Sequence, residues 1–290
     1  MSDSAKEVGT GIARAIAEIG CRFDPAVFDQ TRSLIRPLHA RAPVAPAKVV
    51  SYGADTRNAL DVYPAPKPGS PVIIYVPGGG FIGGDKDDGA YFYRNVGATF
   101  SARGYACIIP NYRLAPAFTW PSGADDVAAV LRWTLENSAA ANGDPSRIHV
   151  CGQSAGATHV STSLFMATDN IWDRIRTVAL LNGLYALEDN VVRPNYAAYF
   201  GVEAETVKAR LPLALVRPVT KPLMLATAAY DVPALAASTF SLASKLTMMN
   251  GKTPDFMVMD RHNHVSAVLS VGTAYDDLTD ALMRFHQYAG

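Results

Sequence analysis

Five residues, Gly152-Gln153-Ser154-Ala155-Gly156, decide how this sequence is interpreted. They follow the apolar run Ile148-His149-Val150-Cys151 and lead into Ala157-Thr158-His159-Val160-Ser161, so a buried strand is predicted to pass into a helix here. Glycines on either side of Ser154 allow a sharp turn that a Cβ atom would obstruct, and such a turn lifts a serine hydroxyl above the edge of a sheet. A serine in that position can attack a carbonyl carbon.

Length and composition fit one large α/β domain or two small ones. The chain has 290 residues, and no charge run or low-complexity linker divides it, so a single domain over residues 1–290 is expected. The 26 basic and 26 acidic side chains cancel. This balance argues against nucleic acid, an anionic membrane or a highly charged polymer as the partner, and favours a neutral or weakly charged small molecule.

Neither a targeting segment nor a membrane span is indicated by the sequence. The stretch Met1-Ser2-Asp3-Ser4-Ala5-Lys6-Glu7 is polar and charged, and no later apolar run is long enough to cross a bilayer. The three cysteines, at positions 21, 107 and 151, imply no disulfide framework. We therefore expect a soluble, cytoplasmic protein.

Strands and helices are predicted to alternate along most of the chain. An antiparallel hairpin is expected at residues 49–63, and the unbroken apolar stretch Val72-Ile73-Ile74-Tyr75-Val76 is typical of a strand buried on both faces of a parallel sheet. Further strands are predicted at 105–110, 147–151, 177–181, 223–227 and 255–259, with helices at 91–103, 123–137, 234–249 and 276–288 and directly after Ser154. The pattern predicts an α/β fold with a mostly parallel central sheet and helices on both faces.

Two segments fall outside this alternation. Residues 1–40 are predicted to form two short amphipathic helices, either a packed arm or part of a cap over a site. Residues 183–221 are too long for one crossover and rich in aromatic and aliphatic side chains. We interpret this second segment as a small helical cap inserted at the carboxyl edge of the sheet.

A serine nucleophile needs a base within hydrogen-bonding reach, and the base needs an orienting group. Of the six histidines, His262 and His264 come just after the last predicted strand, in a predicted loop at 260–264. His264 is chosen as the base because it precedes the next helical turn. His262 is assigned a hydrogen bond within the loop or a place in the pocket wall.

The orienting carboxylate should follow the preceding strand. Asp231 comes directly after such a strand, and Pro233 opens the next helix. An alternative role for Asp231 is the N-cap of that helix. Asp260 is the second choice, although it is so near His264 in the chain that the two side chains would need an unusual turn to align.

The stretch Gly78-Gly79-Gly80 follows a buried strand and can present backbone N–H groups to an oxyanion, with the N–H of Ala155 as a further donor. A flexible turn or a phosphate cradle are the alternatives, but the spacing is not that of a nucleotide-binding loop. Phe81, Trp120 and Tyr185 are predicted to line the substrate pocket. No metal or cofactor is expected, because the two neighbouring histidines lack a further ligand cluster.

Taken together, these residues resemble the α/β-hydrolase superfamily and, more narrowly, its hormone-sensitive-lipase-like esterases. The resemblance is carried by residues 77–81, by Asn111-Tyr112-Arg113-Leu114-Ala115-Pro116 and by Gly143-Asp144-Pro145-Ser146-Arg147-Ile148 leading to the pentapeptide. It implies an α/β-hydrolase fold, a catalytic triad of Ser154, Asp231 and His264, and oxyanion donors from Gly79, Gly80 and Ala155.

Three features depart from the family's pattern. Pro77 replaces the usual histidine of the glycine motif, and Gln153 stands where the family usually has Asp or Glu. The cap and residues 263–266 are more similar to a smaller, arylformamidase-like branch. The resemblance implies a serine carboxylesterase for short-chain or aryl esters, with an arylformamidase or amidase as the alternative and a non-catalytic ligand-binding protein as a third. A homodimer is compatible with it by analogy.

Overall fold

A mostly parallel sheet of eight strands forms the centre of the part of the chain that the structure describes. The computed structural model describes residues 3–40, 42–89 and 91–288, so residues 1, 2, 41, 90, 289 and 290 of the predicted single domain lie outside it. The strands are β1 (Lys48–Ser51), β2 (Ala59–Tyr63), β3 (Ser70–Val76), β4 (Ala106–Pro110), β5 (Gly143–Gln153), β6 (Ile175–Leu181), β7 (Leu223–Tyr230) and β8 (Asp255–Asn263). Their order across the sheet is β1-β2-β4-β3-β5-β6-β7-β8. β2 is antiparallel to both its neighbours, and the other pairs are parallel.

Helices cover both faces of this sheet, as the alternating pattern predicts. They are α1 (Asp3–Ile19), α2 (Pro25–Ile35), α3 (Arg94–Ala102), α4 (Ser122–Asn137), α5 (Ala155–Met166), α6 (Pro194–Phe200), α7 (Ala204–Arg210), α8 (Pro212–Leu215), α9 (Pro233–Asn250), α10 (Ser266–Leu269) and α11 (Leu278–Tyr288). One core cluster packs α4, α5 and α9 against one face, and a second packs α3, α10 and α11 against the other. None of the described helices is long and apolar enough to cross a membrane.

Strand β3 shows why an unbroken apolar run marks the centre of such a sheet. Its alternate side chains enter opposite clusters, with Val72 and Ile74 in one and Ile73 and Tyr75 in the other. All four are fully buried. Both faces of a central parallel strand are covered by helices, so apolar side chains are favoured at every position.

The last strand is longer than predicted. β8 continues to Asn263, whereas the sequence pattern indicates a loop from residue 260. Asp260 and Arg261 are polar and exposed, which resembles a loop, but β8 lies at the edge of the sheet, where polar side chains remain in contact with water. His262 consequently lies in a strand and not in a loop.

The two segments outside the alternation pack near the carboxyl edge of the sheet. From the predicted arm, Ile35 of α2 joins a cluster with Val265 and Leu269, immediately after β8. From the predicted cap, Tyr196, Tyr199 and Phe200 of α6 join a cluster with Phe81 and Ala155. Both segments therefore contact the region where Ser154 and His264 lie.

Candidate active site

Ser154 occupies a strained turn between β5 and α5. Its φ is 53° and its ψ is −124°, a conformation that residues with a Cβ rarely adopt. Two backbone hydrogen bonds hold the turn, since the N–H of Ser154 donates to the carbonyl of Leu181 at 2.8 Å and its own carbonyl accepts from the N–H of Ala157 at 3.0 Å. The turn leaves Ser154 partly exposed while its neighbours Gln153 and Ala155 are buried.

Gly156 is needed because two elements approach each other closely. A Cβ atom on Gly156 would lie 2.2 Å from the carbonyl oxygen of Val76 at the end of β3 and 2.4 Å from that of Pro77. The positive φ of the turn falls on the serine itself. Absence of a side chain, more than backbone freedom, is therefore what this glycine contributes.

Ser154, His264 and Asp231 form one continuous hydrogen-bonded chain. Ser154 Oγ lies 2.8 Å from His264 Nε2, and His264 Nδ1 lies 2.7 Å from Asp231 Oδ1. His264 and Asp231 are each only 2% exposed. The structure thus brings together the three side chains that the sequence singles out, each just beyond the carboxyl end of a different parallel strand. Asp260, the second choice for the carboxylate, is exposed and takes no part.

The Asp231 carboxylate is oriented by its neighbours in the chain. Its Oδ1 accepts from the N–H of Val232 at 2.7 Å, and its Oδ2 lies 3.5 Å from Thr227 Oγ1 of β7. α9 begins two residues later at Pro233, and Val232 occupies its N-cap position. Asp231 therefore does not serve as the N-cap of α9.

Two amide side chains hold the backbone of His264. Asn182 Nδ2 donates to the His264 carbonyl at 3.0 Å, and Gln153 Nε2 donates to the same oxygen at 3.3 Å. Asn182 also accepts from the N–H of Ala228 in β7 at 3.0 Å, so it links two strand ends. Sequence reasoning missed Asn182. Its signal in the sequence is an asparagine directly after a predicted strand, and in the structure it follows β6 with a φ of 51°.

Gln153 explains one departure from the family's pattern. Its Oε1 lies 3.3 Å from the hydroxyl of Tyr93, which in turn accepts from the N–H of Gly78 at 3.0 Å. The side chain therefore accepts from Tyr93 and donates to His264. A carboxylate at this position could accept but could not donate.

The glycine loop after β3 leaves amide groups available. Gly79 has a φ of 150°, and a Cβ atom there would lie 2.0 Å from the carbonyl oxygen of Gly83. Within the described residues, the N–H groups of Gly79, Gly80 and Ala155 have no hydrogen-bond acceptor. All three residues line the same cavity as Ser154. A hydrogen bond also holds the start of the loop, because Tyr112 donates its hydroxyl hydrogen to the carbonyl of Pro77 at 3.1 Å.

A cavity of about 1310 Å³ opens over Ser154 and His264. Phe81 lines it, as predicted, but Trp120 and Tyr185 do not. Tyr185 is fully buried in the core beneath α5, and Trp120 packs beside the cap with Arg210 lying 5.2 Å from its ring centre. Large aromatic side chains fill cores as readily as pockets, and the sequence alone does not separate the two uses.

The cavity has a wall that the sequence does not indicate. Residues 21–24, in the connection between α1 and α2, line it together with Pro25, Phe28 and Arg32 of α2. The ring of Phe23 lies 4.6 Å from the imidazole of His264, measured between ring centroids. The arm is therefore part of the site.

His262 lies beside the site in a second buried chain of contacts. Its Nδ1 lies 3.0 Å from Ser266 Oγ and its Nε2 lies 3.3 Å from Asp277 Oδ2. Its hydrogen bond to Asp277, with a further contribution from Arg261, lowers the pKa of that carboxyl to about 2. His262 is fully buried and is not among the residues that line the cavity, so it neither binds in the pocket nor faces solvent.

Among residues 3–40, 42–89 and 91–288, no group of three or more His, Cys, Asp or Glu side chains is arranged to hold a metal ion.

This chain is similar to named esterases and to solved esterase structures. A family model described as BD-FAE matches residues 60–191, a range that includes Gly79 and Ser154 and ends before Asp231 and His264. Esterase LipQ of Mycobacterium tuberculosis is 29% identical over 217 residues, which are 72% of this chain and 47% of that protein. Carboxylesterase NlhH of the same organism is 39% identical over 127 residues, 42% of this chain and 38% of that protein. A fungal esterase structure from Rhizomucor miehei superposes with a TM-score of 0.72 at 20% identity, covering 96% of each chain.

The sheet order, the strained serine turn and the structural likeness define an α/β-hydrolase fold. Within it, the chain is similar to the hormone-sensitive-lipase-like esterases represented by LipQ and NlhH. Its matched stretches span less than half the length of either relative.

Proposed function

We propose that this protein is a serine carboxylesterase that hydrolyses small-molecule carboxylic esters. The observation that carries the proposal is the chain Ser154 Oγ, His264 Nε2, His264 Nδ1 and Asp231 Oδ1, with successive contacts of 2.8 and 2.7 Å. The names of LipQ and NlhH, an esterase and a carboxylesterase, support the same reaction.

In the proposed first half-reaction, His264 Nε2 takes the proton of Ser154 as Oγ attacks the ester carbonyl carbon. Asp231 keeps the other imidazole proton on Nδ1 and stabilises the cation that forms. The carbonyl oxygen becomes an oxyanion and accepts from the N–H groups of Gly79, Gly80 and Ala155. Each such donor is typically worth about 2.7–4 kcal/mol in the transition state.

His264 then gives its proton to the departing alcohol oxygen, and the carbonyl remains bonded to Ser154 as an acyl-enzyme. Water enters, loses a proton to His264 Nε2 and attacks the acyl carbon. Collapse of the second oxyanion returns the proton to Ser154 Oγ and releases the carboxylic acid. No further group is needed to balance the reaction.

The test is the Ser154→Ala variant. Removal of the nucleophile should lower kcat for p-nitrophenyl acetate by at least about a thousandfold, because a triad without its nucleophile retains only binding and oxyanion stabilisation. The wild type should react with a fluorophosphonate probe at Ser154 and the variant should not. Wild-type turnover in the variant would refute the assignment, and a parallel assay on N-formylkynurenine measures whether an aryl formamide is cleaved faster than an ester.

A further inference from the structure

We propose that Phe23 forms a binding subsite for an aromatic leaving group, so that the preferred substrates are esters of aromatic alcohols. This inference rests on the proposed esterase function and concerns which half of the ester is recognised. It assigns a role to the connector between α1 and α2, which carries no part of the triad.

Phe23 lies against the catalytic imidazole and is open to solvent. Its ring is 4.6 Å from that of His264 between centroids, with an angle of 49° between the planes. It is nevertheless 45% exposed and lines the cavity above Ser154. An apolar ring left in water at the mouth of a site is stabilised when a ligand covers it, and aromatic pairs favour such tilted or offset contacts.

The reaction itself places the leaving group on this side of the cavity. His264 Nε2 must deliver its proton to the alcohol oxygen, so that oxygen departs next to the imidazole. The carbonyl oxygen, by contrast, faces the glycine loop. A ring in contact with His264 therefore meets the alcohol part of the ester.

The surroundings of Phe23 suit an uncharged aromatic group. Val265, Val268 and Phe92 also line the cavity. Arg32, which also lines it, is already paired with Asp88 at 3.3 Å and lies 5.0 Å from the ring centre of Phe92. The cation is thus engaged within the protein.

The connector holds Phe23 in place without a substrate. The next residue, Asp24, caps α2 by accepting from the N–H of Val27 at 2.9 Å, and Pro25 begins the helix. Proline at this position has a backbone angle suited to a helix start. Ordering Phe23 in advance lowers the entropy cost of binding an aromatic group.

The experiment compares Phe23→Ala with wild type on three esters. Benzyl acetate and ethyl acetate share the acyl group and differ in the alcohol, whereas ethyl benzoate places the aromatic ring on the acyl side. kcat/KM is the parameter to compare, because it covers the steps up to departure of the alcohol. We expect the variant to lose a factor of about three to ten on benzyl acetate, the usual worth of one aromatic pair, and to stay within about twofold on both ethyl esters.

Two further variants sharpen this test. Phe240→Ala is the matched control, since Phe240 is 52% exposed, stacks on Phe256 and lies outside the cavity lining. It should leave all three values unchanged. Phe23→Tyr keeps the ring and should restore the preference for benzyl acetate.

An equal loss on all three esters would overturn the subsite and indicate that Phe23 only orders His264. A loss confined to ethyl benzoate would place the ring on the acyl side, and no change at all would also refute the proposal. If the wild type hydrolyses none of the three esters, the esterase function itself fails. If the wild type hydrolyses the esters and Phe23→Ala leaves the ratios of their kcat/KM values unchanged, only the subsite proposal fails.

Discussion

Gln153 donates its side-chain amide to the backbone carbonyl of His264 across 3.3 Å, so the residue before the proposed nucleophile holds the proposed base. The same side chain accepts from Tyr93 at 3.3 Å, and Tyr93 supports Gly78 of the glycine loop. One neutral amide therefore connects three parts of the site. Gln153 is only 2% exposed, so its hydrogen bonds are made away from water.

Gln153→Glu should weaken both activity and stability. A carboxylate cannot donate to the His264 carbonyl, and it places a charge in a buried position. We expect a loss of about 1–3 kcal/mol in the free energy of unfolding and a fall in kcat of about tenfold, measured by urea denaturation and ester hydrolysis. An unchanged kcat in a fully folded variant would show that this hydrogen bond does not position the base.

His262→Asn should lower kcat while leaving KM within about twofold. The contacts of His262 with Ser266 and Asp277 hold the segment that carries His264, and a displacement of about 1 Å at a reacting group costs up to about a hundredfold in rate. We expect a fall of about ten- to a hundredfold. The rate of labelling by a fluorophosphonate should fall in parallel.

His149→Asn is the control for that variant. His149 is also buried, and its Nδ1 lies 2.9 Å from Thr177 Oγ1, but it lies in β5, five residues before Ser154. The His149→Asn variant should lose about as much free energy of unfolding as His262→Asn, with kcat unchanged. Equal losses of kcat in both variants would mean that His262 acts only through global stability.

Gly156→Ala should destabilise the fold strongly. The added Cβ would lie 2.2 Å from the carbonyl oxygen of Val76, a backbone atom that cannot move without displacing β3. Overpacking of this kind costs about 1–3 kcal/mol or more. Gly11→Ala in α1 is the matched control, because a Cβ there meets nothing within 4 Å and should stabilise the helix by about 0.5–1 kcal/mol. Thermal and urea denaturation measure the free energy of unfolding, which should fall for Gly156→Ala and rise for Gly11→Ala.

Stability should fall as the pH drops below about 6.5. Burial lowers the pKa of His149 to about 4 and that of His159 to about 3, against 6.5 for an ordinary histidine. Below 6.5 the unfolded chain therefore takes up protons that the folded chain resists. Each histidine contributes up to about 1.4 kcal/mol per pH unit until its folded pKa is reached.

Denaturation at pH 7.5, 6 and 5 measures this slope. Burial also lowers the pKa of His286 and of His39, so His159 is one of several contributors. His159→Phe removes this one group and should reduce the slope between pH 6 and 5 by up to about 1.4 kcal/mol per unit. A slope equal to that of the wild type would contradict the assignment of a neutral, buried His159.

The relative positions of Ser154, Asp231 and His264 could be predicted because all three follow strands of a parallel sheet, whose carboxyl ends meet at one edge. This logic needs only the order of strands along the chain. Strand order does not indicate which contacts are made by segments outside the alternation. The sequence therefore does not predict that Phe23 lies next to His264. Their catalytic roles stay a prediction.

Trp120 and Tyr185 were wrongly placed for a different reason. The burial of an aromatic ring depends on which neighbour packs over it, and no periodicity in the sequence reports that. The end of β8 was misjudged because an edge strand tolerates the polar residues Asp260 and Arg261 that also mark loops. Asn182 was missed because its role depends on the backbones of two other strand ends.

Thr31 of α2 accepts a hydrogen bond from Asn263 Nδ2 at 2.9 Å, across 232 positions of the chain. During translation, the first helices leave the ribosome long before the strand they dock on. The pocket wall and the imidazole of His264 can meet only after β8 has been synthesised, so a chain interrupted before β8 would carry the Ser154 turn without the proposed base.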